Sequence, residues 1–100
     1  LKRLPDLFEA EAKGLELLAA TGTLRTPVVG MYKSRDKHQW LLLEWIEAAP
    51  MATDFWEQLG RGLAFLHRQQ ATHFGLDHNN YIGSLPQSNR QHLHWHDFFW

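Results

Sequence analysis

The chain opens with apolar side chains at helical spacing. Positions with this period lie on one face of an α-helix, and they are Phe8, Ala12, Leu15, Leu18 and Ala19. Pro5 suits a first helical position, and glycine at position 22 suits the residue that follows a helix. The sequence therefore predicts a helix over residues 5–21.

Two strand patterns follow this helix. Residues 26–33 and 39–46 are rich in β-branched, aromatic and leucine side chains, and a polar segment separates them. The apolar run from Trp40 to Leu43 is continuous, which is typical of a strand buried on both faces. We expect a hairpin with a largely buried second strand.

A second helix is predicted over residues 53–70, where Asp54 can cap the first turn. Gly60 and Gly62 each cost this helix about 1 kcal/mol relative to alanine. Their presence suggests that another element approaches the helix closely. The expected buried face consists of Phe55, Trp56, Leu59, Leu63, Leu66 and His67.

The remaining chain is less regular. Residues 73–89 combine turn-forming glycine, proline and asparagine with aromatic side chains, which predicts a long ordered loop. The aromatic segment 93–100 is compatible with the start of a third helix. These elements predict an α+β fold.

Composition excludes several classes of protein. Ten Lys and Arg face eleven Asp and Glu, for a net charge of −1, so no basic excess favours nucleic acid or an anionic membrane. No apolar run approaches the ~20 residues of a membrane span. The absence of cysteine is compatible with an intracellular protein, and we expect a cytoplasmic one. Because the chain begins at Leu1 and stops in an aromatic run, we expect an interior section of a longer protein.

Two acidic positions could serve a binding site. Glu11 shares the apolar face of the first helix, where it either reaches water at the edge or points inward to pair with a cation. Glu44, Trp45 and Ile46 end the second strand just before a break, so their free backbone groups could bind a planar heterocycle. On spacing alone, a plain strand end with one exposed glutamate is the favoured interpretation.

Three alternating histidines, His92, His94 and His96, would share one face of a strand and could bind zinc or copper there. In a helix the three side chains would point in different directions. Metal-binding histidines also usually donate a hydrogen bond to a neighbouring carboxylate or carbonyl, and Asp97 is the only nearby candidate. We therefore favour ordinary surface histidines. No phosphate-binding glycine loop of the common types and no GxSxG motif occurs. The residues by themselves name no reaction.

Several motifs resemble the fructosamine kinase (ketosamine-3-kinase) family. Residues 59–68, LGRGLAFLHR, are similar to the LGxxLAxLH helix of that family. Residues 74–89, FGLDHNNYIGSLPQSN, are similar to its FGxxxxxxIGxxPQxN stretch, and this block is the most specific one. Residues 8–15 and 42–46 also match, as does the WxxFF pattern of residues 95–99. The resemblance covers nearly the whole chain in order.

The resemblance implies part of a protein-kinase-like fold. Residues 1–46 would belong to the N-terminal lobe up to the hinge, and residues 47–100 would begin the helical C-terminal lobe. Glu11 would pair with an upstream lysine that binds the phosphates of ATP. The segment Glu44, Trp45 and Ile46 would hold the adenine through its backbone. The catalytic base and the magnesium ligands would lie downstream, so no catalytic or metal-binding residue is expected within residues 1–100.

The resemblance also implies a reaction and its partners. The parent enzyme would use ATP and Mg²⁺ to phosphorylate the 3-hydroxyl of ketosamines, either on glycated proteins or on small molecules, as deglycation repair. No nucleic acid or membrane partner is expected. Gln87 and Asn89 would order the long loop or touch the acceptor. The alternatives are another small-molecule kinase of the aminoglycoside or choline type and a non-catalytic binding module.

Overall fold

The computed structural model describes residues 4–100 and contains three helices and two small antiparallel sheets. This architecture confirms the α+β prediction. The elements in chain order are α1 (Leu7–Ala20), β1 (Val29–Arg35), β2 (His38–Leu43), α2 (Phe55–His67), β3 (Asn80–Ile82), β4 (Leu85–Gln87) and α3 (Trp95–Phe99).

Helix α1 begins two residues later than predicted. Asp6 precedes it with a φ of 59°, in the left-handed region, so Pro5 lies before the helix rather than at its first position. The predicted stop is confirmed, because Gly22 has a φ of 65° and donates its N–H to the carbonyl of Ala19 at 3.1 Å.

Strands β1 and β2 form the expected hairpin, and α1 covers one face of it. Gln39 fastens this face, since its amide donates to the Leu4 carbonyl at 2.7 Å and accepts from the Phe8 N–H at 3.1 Å. The opposite face is open within residues 4–100, where Trp40 is 48% and Leu42 60% exposed. The prediction of a strand buried on both faces is therefore wrong for the described chain, because only one face has a covering element.

Helix α2 is shorter than predicted and packs on the connection after α1. Gly62 is buried against Leu24, so the expected close approach is confirmed at this glycine. Gly60 faces open space, and the same expectation is wrong there. Three residues that were expected on the buried face are exposed, namely Trp56, Leu63 and His67.

The segment 73–89, which was predicted to be a loop without regular structure, contains a short hairpin, β3–β4. The prediction is wrong for these strands. Gly83, at a φ of 60°, opens the two-residue turn between the strands. Phe74 and His92 exchange two backbone hydrogen bonds of 2.8 and 2.9 Å and close the base of the segment. The short helix α3 confirms the expected third helix.

Candidate functional site: the α1–hairpin groove and the end of strand β2

Glu11 lies on an exposed part of α1 and borders a groove of about 330 Å³. The groove lies along α1 beside strand β3 of the second hairpin, and we call it the α1–hairpin groove. Its walls include Leu7, Ala10, Glu11, Gly14, Asn80 and Tyr81. Within residues 4–100 the Glu11 carboxylate has neither a hydrogen bond nor a salt bridge. It is therefore available to a cation from outside the described chain.

Glu44 closes the hairpin at the end of β2. Its N–H donates to the Val28 carbonyl at 2.8 Å, and its carboxylate accepts from the Val28 N–H at 3.3 Å. The same carboxylate lies 3.4 Å from the Arg25 guanidinium. The side chain of Glu44 is thus used to hold the strand end, a role that sequence spacing did not reveal because its partners lie sixteen and nineteen residues away.

Beyond Glu44 the backbone is free to bind. No hydrogen bond within residues 4–100 uses the Glu44 carbonyl or the peptide groups of Trp45 and Ile46. The Trp45 side chain is 82% exposed and Ile46 is also exposed. Free peptide donors and acceptors beside apolar side chains suit a flat heterocycle that forms hydrogen bonds along its edge. The segment therefore fits an adenine ring chemically.

Asn89 organises the segment around β3–β4. It is 3% exposed, and its amide nitrogen donates to the carbonyl of His78 at 3.2 Å and to the side chain of Asn80 at 2.8 Å. Its side-chain oxygen accepts from Gln87 at 3.1 Å, and its N–H donates to the side chain of Asn79 at 3.0 Å. Both predicted loop residues thus take part in one hydrogen-bond network within the segment.

Gly75 allows the two ends of this segment to meet. Its φ is 101°, and a Cβ placed there would lie 2.6 Å from the Asn89 carbonyl oxygen and 2.8 Å from that of Arg90. A side chain therefore fits neither the conformation nor the space. Glycine in the FG pair is explained by this close approach of two backbone segments.

A second cavity of about 400 Å³ lies between residues 78–81 and the start of α1. Glu9 and Lys13 form a 3.4 Å salt bridge on its helical wall. Asp77 accepts a hydrogen bond of 2.7 Å from the His78 ring, and this bond lowers the pKa of the Asp77 carboxyl below its ordinary value.

The three alternating histidines do not come together as metal ligands. His92 bonds through its backbone to Phe74, whereas His94 precedes α3 and the His96 ring lies 3.1 Å from Asp97. No group of three or more metal-ligating side chains occurs within residues 4–100.

Over the same residues, every helix is too short or too polar to cross a membrane.

Comparison with known proteins identifies relatives over almost the whole chain. The fructosamine kinase family model matches residues 2–100. A probable ketoamine kinase of Synechocystis is 42% identical over 95 residues, which cover 94% of this chain and 32% of the relative. A probable ketoamine kinase of Enterococcus faecium is 40% identical over 92% of this chain and 31% of its own length. This chain thus spans about a third of these curated relatives.

A solved structure has the same fold. The crystal structure of a protein from Haemophilus somnus, described as a fructosamine-3-kinase, superposes with a TM-score of 0.83 at 30% identity. The superposition covers 94% of this chain and 32% of that protein. The expected protein-kinase-like fold is confirmed as a partial one, and the chain belongs to the fructosamine kinase family.

Proposed function

We propose that the protein containing this chain is an ATP-dependent kinase that transfers the γ-phosphate to the 3-hydroxyl of ketosamines. The observation that carries this proposal is the family match over residues 2–100. The curated relatives are named probable ketoamine kinases, which supports the same class of acceptor. Glycated protein lysines and small-molecule ketosamines are the proposed acceptors, and the proposed role is deglycation repair in the cytoplasm.

In this proposal the chain supplies part of the nucleotide cleft. Glu11 pairs with a lysine from a strand outside residues 1–100, and that lysine binds the phosphates of ATP. An exposed carboxylate with no partner among residues 4–100 supports this role. The lysine is then held in the orientation that the phosphates require, because a salt bridge to a helix restricts the motion of a long side chain.

The end of β2 holds the adenine in the same proposal. The Glu44 carbonyl accepts, and the Trp45–Ile46 peptides offer further main-chain groups, while the Glu44 side chain keeps the strand end fixed. Magnesium, when bound, neutralises charge that develops on the transferred phosphate. Its ligands and the catalytic base are proposed to lie outside residues 1–100.

The acceptor class is tested with the purified full-length protein and ATP. Fructosamine and ribulosamine are offered in parallel with an aminoglycoside and choline, and ADP release is measured for each. We expect turnover with a ketosamine and none with the aminoglycoside or choline. Turnover with either of those two alone would replace this proposal by the related class of small-molecule kinases, and absence of turnover with bound ATP would favour a non-catalytic binding module.

A further inference from the structure

Tyr81 links hairpin β3–β4 to the start of helix α1. Its hydroxyl donates a 2.7 Å hydrogen bond to the carbonyl of Pro5, across 76 positions of the chain. The side chain is half-buried, and its strand β3 packs against α1. The bond therefore joins the turn that precedes α1 to the hairpin.

Hydrogen bonds within its own segment hold the hairpin that carries Tyr81. Asn80, the residue before Tyr81, is held by the buried side chain of Asn89 at 2.8 Å. The paired backbones of Phe74 and His92 close the segment, and Leu76 donates to the Asn89 carbonyl at 2.9 Å. These bonds are independent of α1, so the position of Tyr81 is set by its own segment.

Glu11 lies close to the hydrogen bond between Tyr81 and Pro5. It follows Leu7, where α1 begins, by four positions, about one turn of helix, and both Glu11 and Tyr81 border the α1–hairpin groove. A helix moves largely as a rigid body over so short a distance. Pro5 precedes α1, and the turn around it is bonded to the helix, since the Leu7 N–H donates to the Leu4 carbonyl at 3.4 Å and the Ala10 N–H donates to the Asp6 carbonyl at 2.9 Å. A shift of this turn therefore moves α1 and the Glu11 carboxylate as well.

We propose that Tyr81 is a positioning residue that acts through α1 to place Glu11 for the nucleotide. The inference rests on the proposed role of Glu11 toward ATP. Tyr81 touches neither nucleotide nor acceptor in this account. Its effect is to reduce the range of positions that α1 samples before ATP binds, and a more ordered cleft binds ATP more tightly.

The test uses the full-length protein with Tyr81→Phe, which removes one hydroxyl and keeps the ring. The matched control is Tyr32→Phe, because Tyr32 is the other tyrosine and its hydroxyl makes no hydrogen bond within residues 4–100. We expect Tyr81→Phe to raise the Kd of ATP about three- to tenfold, as the loss of one hydrogen bond would. The KM of the acceptor should stay unchanged, and Tyr32→Phe should change neither.

A double-mutant cycle separates positioning from a general structural effect. In a Glu11→Gln background, ATP binding no longer depends on where the carboxylate lies, so Tyr81→Phe should cause no further loss. Losses that add, or a Tyr81→Phe enzyme with unchanged ATP affinity, would overturn the proposal. A lowered melting temperature with unchanged ATP affinity would show that Tyr81 is structural only.

Hydrogen exchange of the unmodified protein gives a second measurement that needs no variant. Saturating ATP should slow exchange at the first-turn amides of α1 and at β3 together, and protection of one without the other would contradict the coupling. A wild-type protein that binds no ATP would overturn both this inference and the proposed function. ATP binding without ketosamine turnover would leave the Tyr81 test readable and count against the proposed reaction only.

Discussion

At the scale of single residues, Asn89 and Gln87 offer the clearest contrast. Asn89→Ala removes three side-chain hydrogen bonds at a buried position, so we expect a loss of about 1–3 kcal/mol in the free energy of unfolding. Gln87→Ala removes one bond, and we expect about 0.5–1.5 kcal/mol. Chemical denaturation of the full-length protein measures both. Acceptor kinetics tell whether either residue also touches the acceptor, and if stability and kinetics are both unchanged, neither predicted role holds.

Gly75 provides a second test at this scale. Gly75→Ala combines an unfavourable φ with close contacts to two carbonyl oxygens, so we expect a loss of roughly 2–5 kcal/mol in stability. Gly83→Ala is the control, since its φ of 60° is also positive but open space surrounds it, and we expect a loss of about 1–2 kcal/mol. Equal losses for the two variants would contradict the close approach described at Gly75.

The role of a residue could be predicted from the sequence only where its partners lie nearby along the chain. Glu11 could be recognised as a candidate because its position on a helical face is a local property. The bonds of Tyr81 to Pro5 and of Glu44 to Val28 join residues that are distant in the sequence, and no periodicity reports them. The adjacent residues Asn79 and Asn80 indicated a turn. Their sequence did not indicate that the side chains of both would accept hydrogen bonds from Asn89.

At the scale of elements, the two glycines of α2 have opposite expected effects. Gly60→Ala should stabilise the protein by up to about 1 kcal/mol, since alanine favours a helix and nothing lies near the new methyl group. Gly62→Ala gains the same propensity but crowds Leu24, and such overpacking costs about 1–3 kcal/mol. Thermal unfolding should therefore rank Gly60→Ala above Gly62→Ala, and the reverse order would show that α2 does not pack on the connection at Leu24.

The long elements could be predicted from sequence, whereas the three-residue strands β3 and β4 could not. Helices α1 and α2 and the first hairpin extend over enough residues for their periodicities to be clear. Strands β3 and β4 have three residues each, too few to show an alternating pattern. The apolar run of β2 predicted burial on both faces, but burial depends on the neighbours of a strand, and within residues 4–100 only α1 covers it.

At the scale of the whole molecule, the chain has very little core. Only Ala12, Gly62 and Asn89 are buried among residues 4–100, and no large side chain is fully buried there. The radius of gyration is 16.2 Å, whereas a compact domain of this length has about 13 Å. The described chain is thus more open than an independent domain, as expected of a section of a larger fold.

This openness predicts how the isolated chain behaves. A 1–100 polypeptide should show no cooperative thermal transition and should bind a hydrophobic dye, because its apolar faces lack covering elements. It should also transfer no phosphate, as its catalytic residues are expected elsewhere. Calorimetry and dye fluorescence check the first expectation, with the full-length protein as the control. A sharp transition or detectable turnover by the isolated chain would contradict this account.

The most direct test of the proposed ketosamine 3-kinase activity determines which atom of the acceptor receives the phosphate. The full-length protein is incubated with ATP, magnesium and a peptide that carries a ketosamine on one lysine, and the product is examined by phosphorus-31 NMR and mass spectrometry. We predict a phosphate on the 3-hydroxyl of the sugar, followed by release of the unmodified lysine. A product phosphorylated elsewhere, or an unchanged peptide in the presence of an enzyme that binds ATP, would contradict it.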